Sequence, residues 1–115
     1  MKKVFSRLEV QSILESNELE SEVTYLERED KNNPENYIVY YRLAPNSSTL
    51  YADDKIHLRK AYIQVSHFHK RKLDSIEDIL REHFNVEPAE FLFKQTDTDY
   101  WSTIYRFEIF IEGAW

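Results

Sequence analysis

The sequence has no cysteine, one glycine and three prolines in 115 residues. The absence of cysteine excludes disulfides, thiolate nucleophiles, iron–sulfur clusters and cysteine-ligated zinc. The single glycine, Gly113, leaves no glycine-rich loop to bring backbone against a phosphate, so P-loop and dinucleotide-binding readings fail, as does a Gly-x-Ser-x-Gly nucleophile elbow. Long apolar runs are missing too. No stretch approaches the roughly 20 apolar residues of a membrane span. The apolar segment of a signal peptide is interrupted at once after Lys2 and Lys3 by Arg7, Glu9 and Gln11, so no export is expected. Asn46-Ser47-Ser48 would be a glycosylation acceptor only in a secreted chain. Positive charge is in deficit. Fifteen Lys and Arg stand against 21 Asp and Glu, a net charge of −6, which argues against general affinity for nucleic acid or anionic lipid.

What the chain does have is 42% hydrophobic and 15% aromatic residues, enough to build one core, and its length fits a single domain, 1–115. Charge is unevenly placed. Residues 1–54 carry a net −5, 55–72 carry +6 with no acid at all, and 73–115 carry −7. A basic middle lies between acidic ends, with Lys55, Arg59, Lys60, Lys70, Arg71 and Lys72 supplying it.

Periodicity assigns the elements. Val4, Phe5, Leu8, Ile13 and Leu14 recur at helical spacing, which predicts an amphipathic helix over 2–15. Residues 15–22 read as too polar for the core. A short strand at Val23–Leu26 precedes the turn-rich 27–36, which would close a hairpin onto the aromatic and β-branched strand Tyr37–Leu43. Residues 46–55 read as an exposed loop. Arg59–His69 alternates, with Ala61, Ile63, Val65, His67 and His69 on one face. Asp74 and Glu77 have the spacing of a capping box before the helical pattern Ile76, Ile79, Leu80, His83, Phe84, which Asn85 and Pro88 stop. Strands follow at Phe91–Gln95 and, after the Thr96–Asp99 turn, at Trp101–Ile111, whose odd positions share one face. The expected fold is α+β, in the order α-(β)-β-β-α-β-β, the bracketed strand being Val23–Leu26. A mainly antiparallel sheet of about four to five strands carries two helices on one face.

Chemistry-bearing clusters are few. His67 and His69 share a strand face about 7 Å apart, close enough for one metal ion, but no spacing signature supplies a third ligand, and the plainer reading is a solvated strand end. A metal-dependent enzyme built on this pair is therefore a minor reading. Asp53-Asp54 and Asp97-x-Asp99 could be paired carboxylates, yet they lie in loops without a partner nucleophile, where turn and capping roles suffice. The basic 55–72 segment, interleaved with Tyr62 and Phe68, has the residue types of a nucleic-acid surface, although strand alternation splits its charges between faces. The eight Tyr, seven Phe and two Trp are core material that also suits protein interfaces.

Tyr37-Ile-Val-Tyr-Tyr-Arg-Leu, Tyr51-Ala-Asp-Asp-Lys, Tyr62-Ile-Gln-Val, the helix Ser75-Ile-Glu-Asp-Ile-Leu and Asp97-Thr-Asp-Tyr-Trp-Ser-Thr-Ile-Tyr-Arg-Phe-Glu-Ile together resemble small tail-completion proteins of long-tailed phages and prophages. These are also called head–tail joining or tail-terminator proteins. The likeness spans about residues 23–112. It implies a non-enzymatic virion component, made in the cytoplasm of a bacterial host, that caps the tail tube as a ring, commonly of six subunits. Its implied partners are the tail-tube protein and the head-completion protein, with no cofactor, no metal, no membrane and no specific nucleic-acid recognition. Exposure and residue type place candidate contacts at Tyr51, Asp53, Asp54, Lys55, Arg59 and Lys60, and at Asp97, Asp99, Tyr100 and Trp101. The alternative is a small nucleic-acid-binding accessory protein using the basic 55–72 segment.

Overall fold

The computed structural model describes residues 4–28, 34–43, 49–52, 55–96, 98–113 and 115, with 49–52 and 55–59 described through their backbone. The elements are β1 (Val4–Phe5), α1 (Arg7–Glu15), β2 (Glu22–Tyr25), β3 (Asn36–Arg42), β4 (Thr49–Ala52), β5 (Lys55–His69), α2 (Glu77–Phe84), β6 (Ala89–Lys94) and β7 (Trp101–Ile111). All seven strands belong to one mainly antiparallel sheet, an α+β arrangement in which the sheet predominates.

The two long strands lie at its centre. β5 and β7 pair antiparallel over eleven rungs, from Arg59 opposite Ile111 to His69 opposite Trp101. The other edge of β5 is shared between β3, along Ile63–His69, and β4, along Lys55–Arg59. The other edge of β7 is shared between β6, along Trp101–Arg106, and β1, at Phe110 and Ile111. β2 lies outside β3.

The alternation that marks β3, β5 and β7 in sequence sorts their two faces. Ile38, Tyr40, Ala61, Ile63, Val65, Tyr105, Phe107, Ile109 and Ile111 form one buried cluster with Val10 and Leu14 of α1 and Ile76, Leu80 and Phe84 of α2. The phenols in this core are satisfied: the Tyr40 hydroxyl donates to Gln11 Oε1 at 2.6 Å, and Tyr105 and Ser75 share a hydrogen bond of 3.1 Å. An unpaired buried hydroxyl would cost about 1–3 kcal/mol.

Several local expectations are corrected. Val4 and Phe5 are a strand because Ser6 starts the helix: its hydroxyl accepts the Glu9 N–H, and the Glu9 carboxylate accepts the Ser6 N–H. Phe5 is then free to pack edge-on against Phe84. In the polar stretch after α1, Asn17 and Ser21 are buried, because the Asn17 amide donates to the Leu14 carbonyl and accepts the Ser21 N–H. No hairpin joins β2 to β3. They pair in parallel, Glu22 opposite Tyr37 through Tyr25 opposite Tyr40. The parallel register sets Tyr25 against Tyr40, and its ring also meets Trp115.

The expected loop at 46–55 contains β4 and the start of β5, paired as a ribbon; 46–48, 53 and 54 lie outside the described residues. The Asp74 cap is not made. Helix α2 begins two residues later than that box requires, and the Ser75 hydroxyl accepts the Glu77 N–H instead. At the other end Asn85 adopts a left-handed conformation, φ 54°, and its N–H returns to the Arg81 carbonyl, which ends the helix as its residue type predicts.

Leu80 is fully buried where α2 meets the sheet, whereas Leu73 is 89% exposed. Leu80→Ala is expected to lower unfolding stability by about 3 kcal/mol and Leu73→Ala by roughly 0.5 kcal/mol or less, compared by urea titration.

Candidate functional site

The sheet face opposite the helices carries a groove. Three rows of side chains cross it, each set by strand register. Tyr41, Gln64 and Arg106 form the first, Val39, Ser66, Ile104 and Phe91 the second, and Tyr37, Phe68, Ser102 and Phe93 the third. The first row is a hydrogen-bonded relay: Arg106 Nε donates to Gln64 Oε1 at 2.9 Å, and Gln64 Nε2 donates to the Tyr41 hydroxyl at 2.7 Å. In the third, Tyr37 and Phe68 stack with centroids 4.7 Å apart, and the Arg28 guanidinium lies 4.4 Å from the Tyr37 ring while bonding Glu22. Between the rows is a cavity of about 400 Å³. Its Ser102 hydroxyl is buried and has no hydrogen-bond partner among the described residues.

This hydroxyl has no base beside it. His67 and His69 occupy odd positions of β5, so the pleat sends their rings to the helix side of the sheet, away from Ser102. Both are completely buried, which corrects the solvated strand end expected from sequence: Ile38 and Thr103 flank His67 across the sheet, and the chain after β5 brings the Arg71 carbonyl onto His69. The rings stack, centroids 4.6 Å apart. His69 Nδ1 donates to the Arg71 carbonyl at 2.6 Å, because a carbonyl can only accept, and Nε2 shares a hydrogen bond of 2.8 Å with the Thr103 hydroxyl. Neither nitrogen of His67 has a partner among the described residues. Both His69 nitrogens are already engaged, and no group of three or more His, Asp or Glu placed to hold a metal ion occurs among the described residues.

Burial, and secondarily the neighbouring His69, lowers the His67 pKa from 6.5 to about 3. The folded state therefore holds His67 neutral while the unfolded chain takes up a proton below 6.5. The sign is that of a depressed pKa: the stability contribution is fully present above 6.5 and is lost as pH falls toward 3. His67→Leu removes both unpaired nitrogens. Between about pH 7 and about pH 5 its urea-unfolding stability should fall less than the wild type's by about 2 kcal/mol; an equal fall would contradict the assignment.

The residues expected to make contacts fall on several elements. Tyr51, Lys55 and Arg59 belong to the β4–β5 ribbon, and Asp53, Asp54 and Asp97 lie outside the described residues. Lys60 pairs with Glu108 at 3.6 Å and lies over the Phe110 ring. Asp99 is exposed. Tyr100 is only 8% exposed, a correction to its expected exposure: its hydroxyl donates to the Pro34 carbonyl at 2.6 Å and its ring meets Tyr37 edge-on. Trp101 is half-buried, with Lys72 and Lys94 within 4.9 and 5.7 Å of its ring centre. The basic segment is divided in the same way. Ten residues of extended β5 hold Lys60 and Lys70 about 33 Å apart, so the 55–60 and 70–72 cations serve opposite ends of the sheet.

Two features escaped the sequence reading. One is the groove, whose rows exist only once three strands are in register. The other is the exposure of β6, the strand expected at Phe91–Gln95: all six of its residues are exposed, including Phe91, Leu92 and Phe93. Three consecutive apolar residues on a short strand are the signal that could have found it, since both faces of that strand cannot be covered by one core.

Comparison with protein-family models, with curated proteins and with solved structures found no match for this chain.

Proposed function

We propose that this chain is a structural virion protein of the tail-completion kind, capping the tail tube as a ring and joining it to the head-completion complex without a catalytic step. The reading starts from the resemblance of residues 23–112. The observation that carries it furthest is the β4–β5 ribbon: among the described residues Lys55, Ile56 and Leu58 pair with β4 and with no other strand, beyond the last rung that β5 makes with β7 at Arg59. A two-stranded ribbon is marginal by itself, so an arm that extends past its sheet gains stability from a neighbouring surface. The arm contains Tyr51 and Lys55, two of the residues that the resemblance marks. Within a ring, it would reach the adjacent subunit or the tube below.

Negative-stain electron microscopy of lysates from a phage or induced prophage lacking this gene tests the role. Filled heads separate from overlong or unfinished tails are expected, with virions restored by the intact chain. A chain whose 50–57 ribbon is replaced by a short turn should fold, by its circular dichroism, and fail to restore them. Normal infectious particles from the deletion would overturn the proposal.

A further inference from the structure

β6 is an open edge. It pairs with β7 over six rungs, Ala89 opposite Arg106 through Lys94 opposite Trp101, and with no other strand among the described residues. Its middle is apolar, with Phe91 52%, Leu92 45% and Phe93 44% exposed. Edge strands are ordinarily protected by inward charges, proline or a bulge, because their unpaired N–H and C=O groups template another strand. The charges of β6 sit only at its ends, as Glu90 and Lys94.

We propose that β6 is the contact between two copies of this chain, paired antiparallel about Leu92 so that the two sheets become continuous across a two-fold axis. The segment Glu90-Phe91-Leu92-Phe93-Lys94 is complementary to itself in that direction. Leu92 meets Leu92 of the second copy, Phe91 meets Phe93, and Glu90 meets Lys94 at both ends. Opposed residues of an antiparallel pair lie on the same face, so alternative registers differ by steps of two residues. The two neighbouring registers set Leu92 against Glu90 or against Lys94 and lose the charge pairs. The central register alone matches apolar with apolar and acid with base.

The pairing also extends the site already described. Phe91 and Phe93 stand on the groove face with Ile104 and Ser102, so four phenylalanines would line a seam between two grooves. Glu90, Leu92 and Lys94 stand on the helix face. The strand is short, so the dimer is weak and concentration-dependent, at the low end of specific interface sizes, and isologous. It is a property of the free chain and does not depend on the tail-completion reading, which concerns particles.

Sedimentation velocity of the full chain across a concentration series tests it. The wild type should shift from monomer to dimer with concentration. Glu90→Lys and Lys94→Glu, each of which opposes like charges twice per dimer, should each weaken the association about tenfold. The double variant Glu90→Lys/Lys94→Glu exchanges the signs and should restore it. Because Lys94 also donates to the Thr98 carbonyl, circular dichroism melts establish that each variant is folded, and Glu90→Lys gives the same test without touching that bond. A wild type that stays monomeric at every concentration would leave the edge to a foreign strand and overturn the proposal, as would a dimer indifferent to both single exchanges.

Discussion

The pairing of β5 with β7 is the interaction on which the rest of the molecule hangs. Its eleven rungs give four strands an edge to join, β3 and β4 along β5 and β6 and β1 along β7, while β2 joins through β3. Register is held here by burial on both faces. Ile63, Val65, Phe107 and Ile109 belong to the helix side, whereas Gln64, Ser66 and Ser102 are buried on the groove side. A slip of one residue would drive the amide and hydroxyls into the apolar core and turn aliphatic side chains into the groove. The relay from Arg106 through Gln64 to Tyr41 works in the same direction, since its three members face one another only in the observed register.

Much of this centre could be read from the order of residues. The alternation in Ala61–His69 and Trp101–Ile111 placed each side chain on its correct face, and Asn85 ended α2 where its tolerance of left-handed backbone suggested. The sequence reading went wrong where a residue's environment is made by distant chain. Val4 and Phe5 have helical spacing with Leu8, but the Ser6–Glu9 cap and the edge of β7 win. β2 reads as half of a hairpin because its neighbour in sequence is a strand, yet parallel pairing is decided by what Tyr25 can reach. His67 was assigned to the right face and the wrong environment, since its burial depends on β3 and β7 flanking it with Ile38 and Thr103. Tyr100 resembles an exposed turn residue until the carbonyl of Pro34, distant in sequence, accepts a hydrogen bond from its hydroxyl.

The same geometry bears on function by separating reactive groups. The imidazoles of His67 and His69 lie on the helix side of the sheet, and the Ser102 hydroxyl, without a partner among the described residues, lies on the groove side. What the molecule presents outward is backbone: a ribbon that outruns its sheet at one end of β5, and an apolar edge at β6. Open strand edges are the features to which other strands can add. Of the cations of 55–72, Lys60 lies beside Glu108 near one end of the β5–β7 ladder, and Lys70 and Lys72 lie over the rings of Tyr100 and Trp101 at the other.

Residue-resolved amide hydrogen exchange tests this account most directly, because protection reports the free energy needed to open each part of a fold. If the β5–β7 ladder holds the sheet together, the slowest amides will be those of 61–69 and 103–111, opening only with the whole molecule, while the 49–58 ribbon exchanges far faster through local opening. A ribbon as protected as the ladder, or a ladder that opens piecemeal while the helices stay closed, would contradict it.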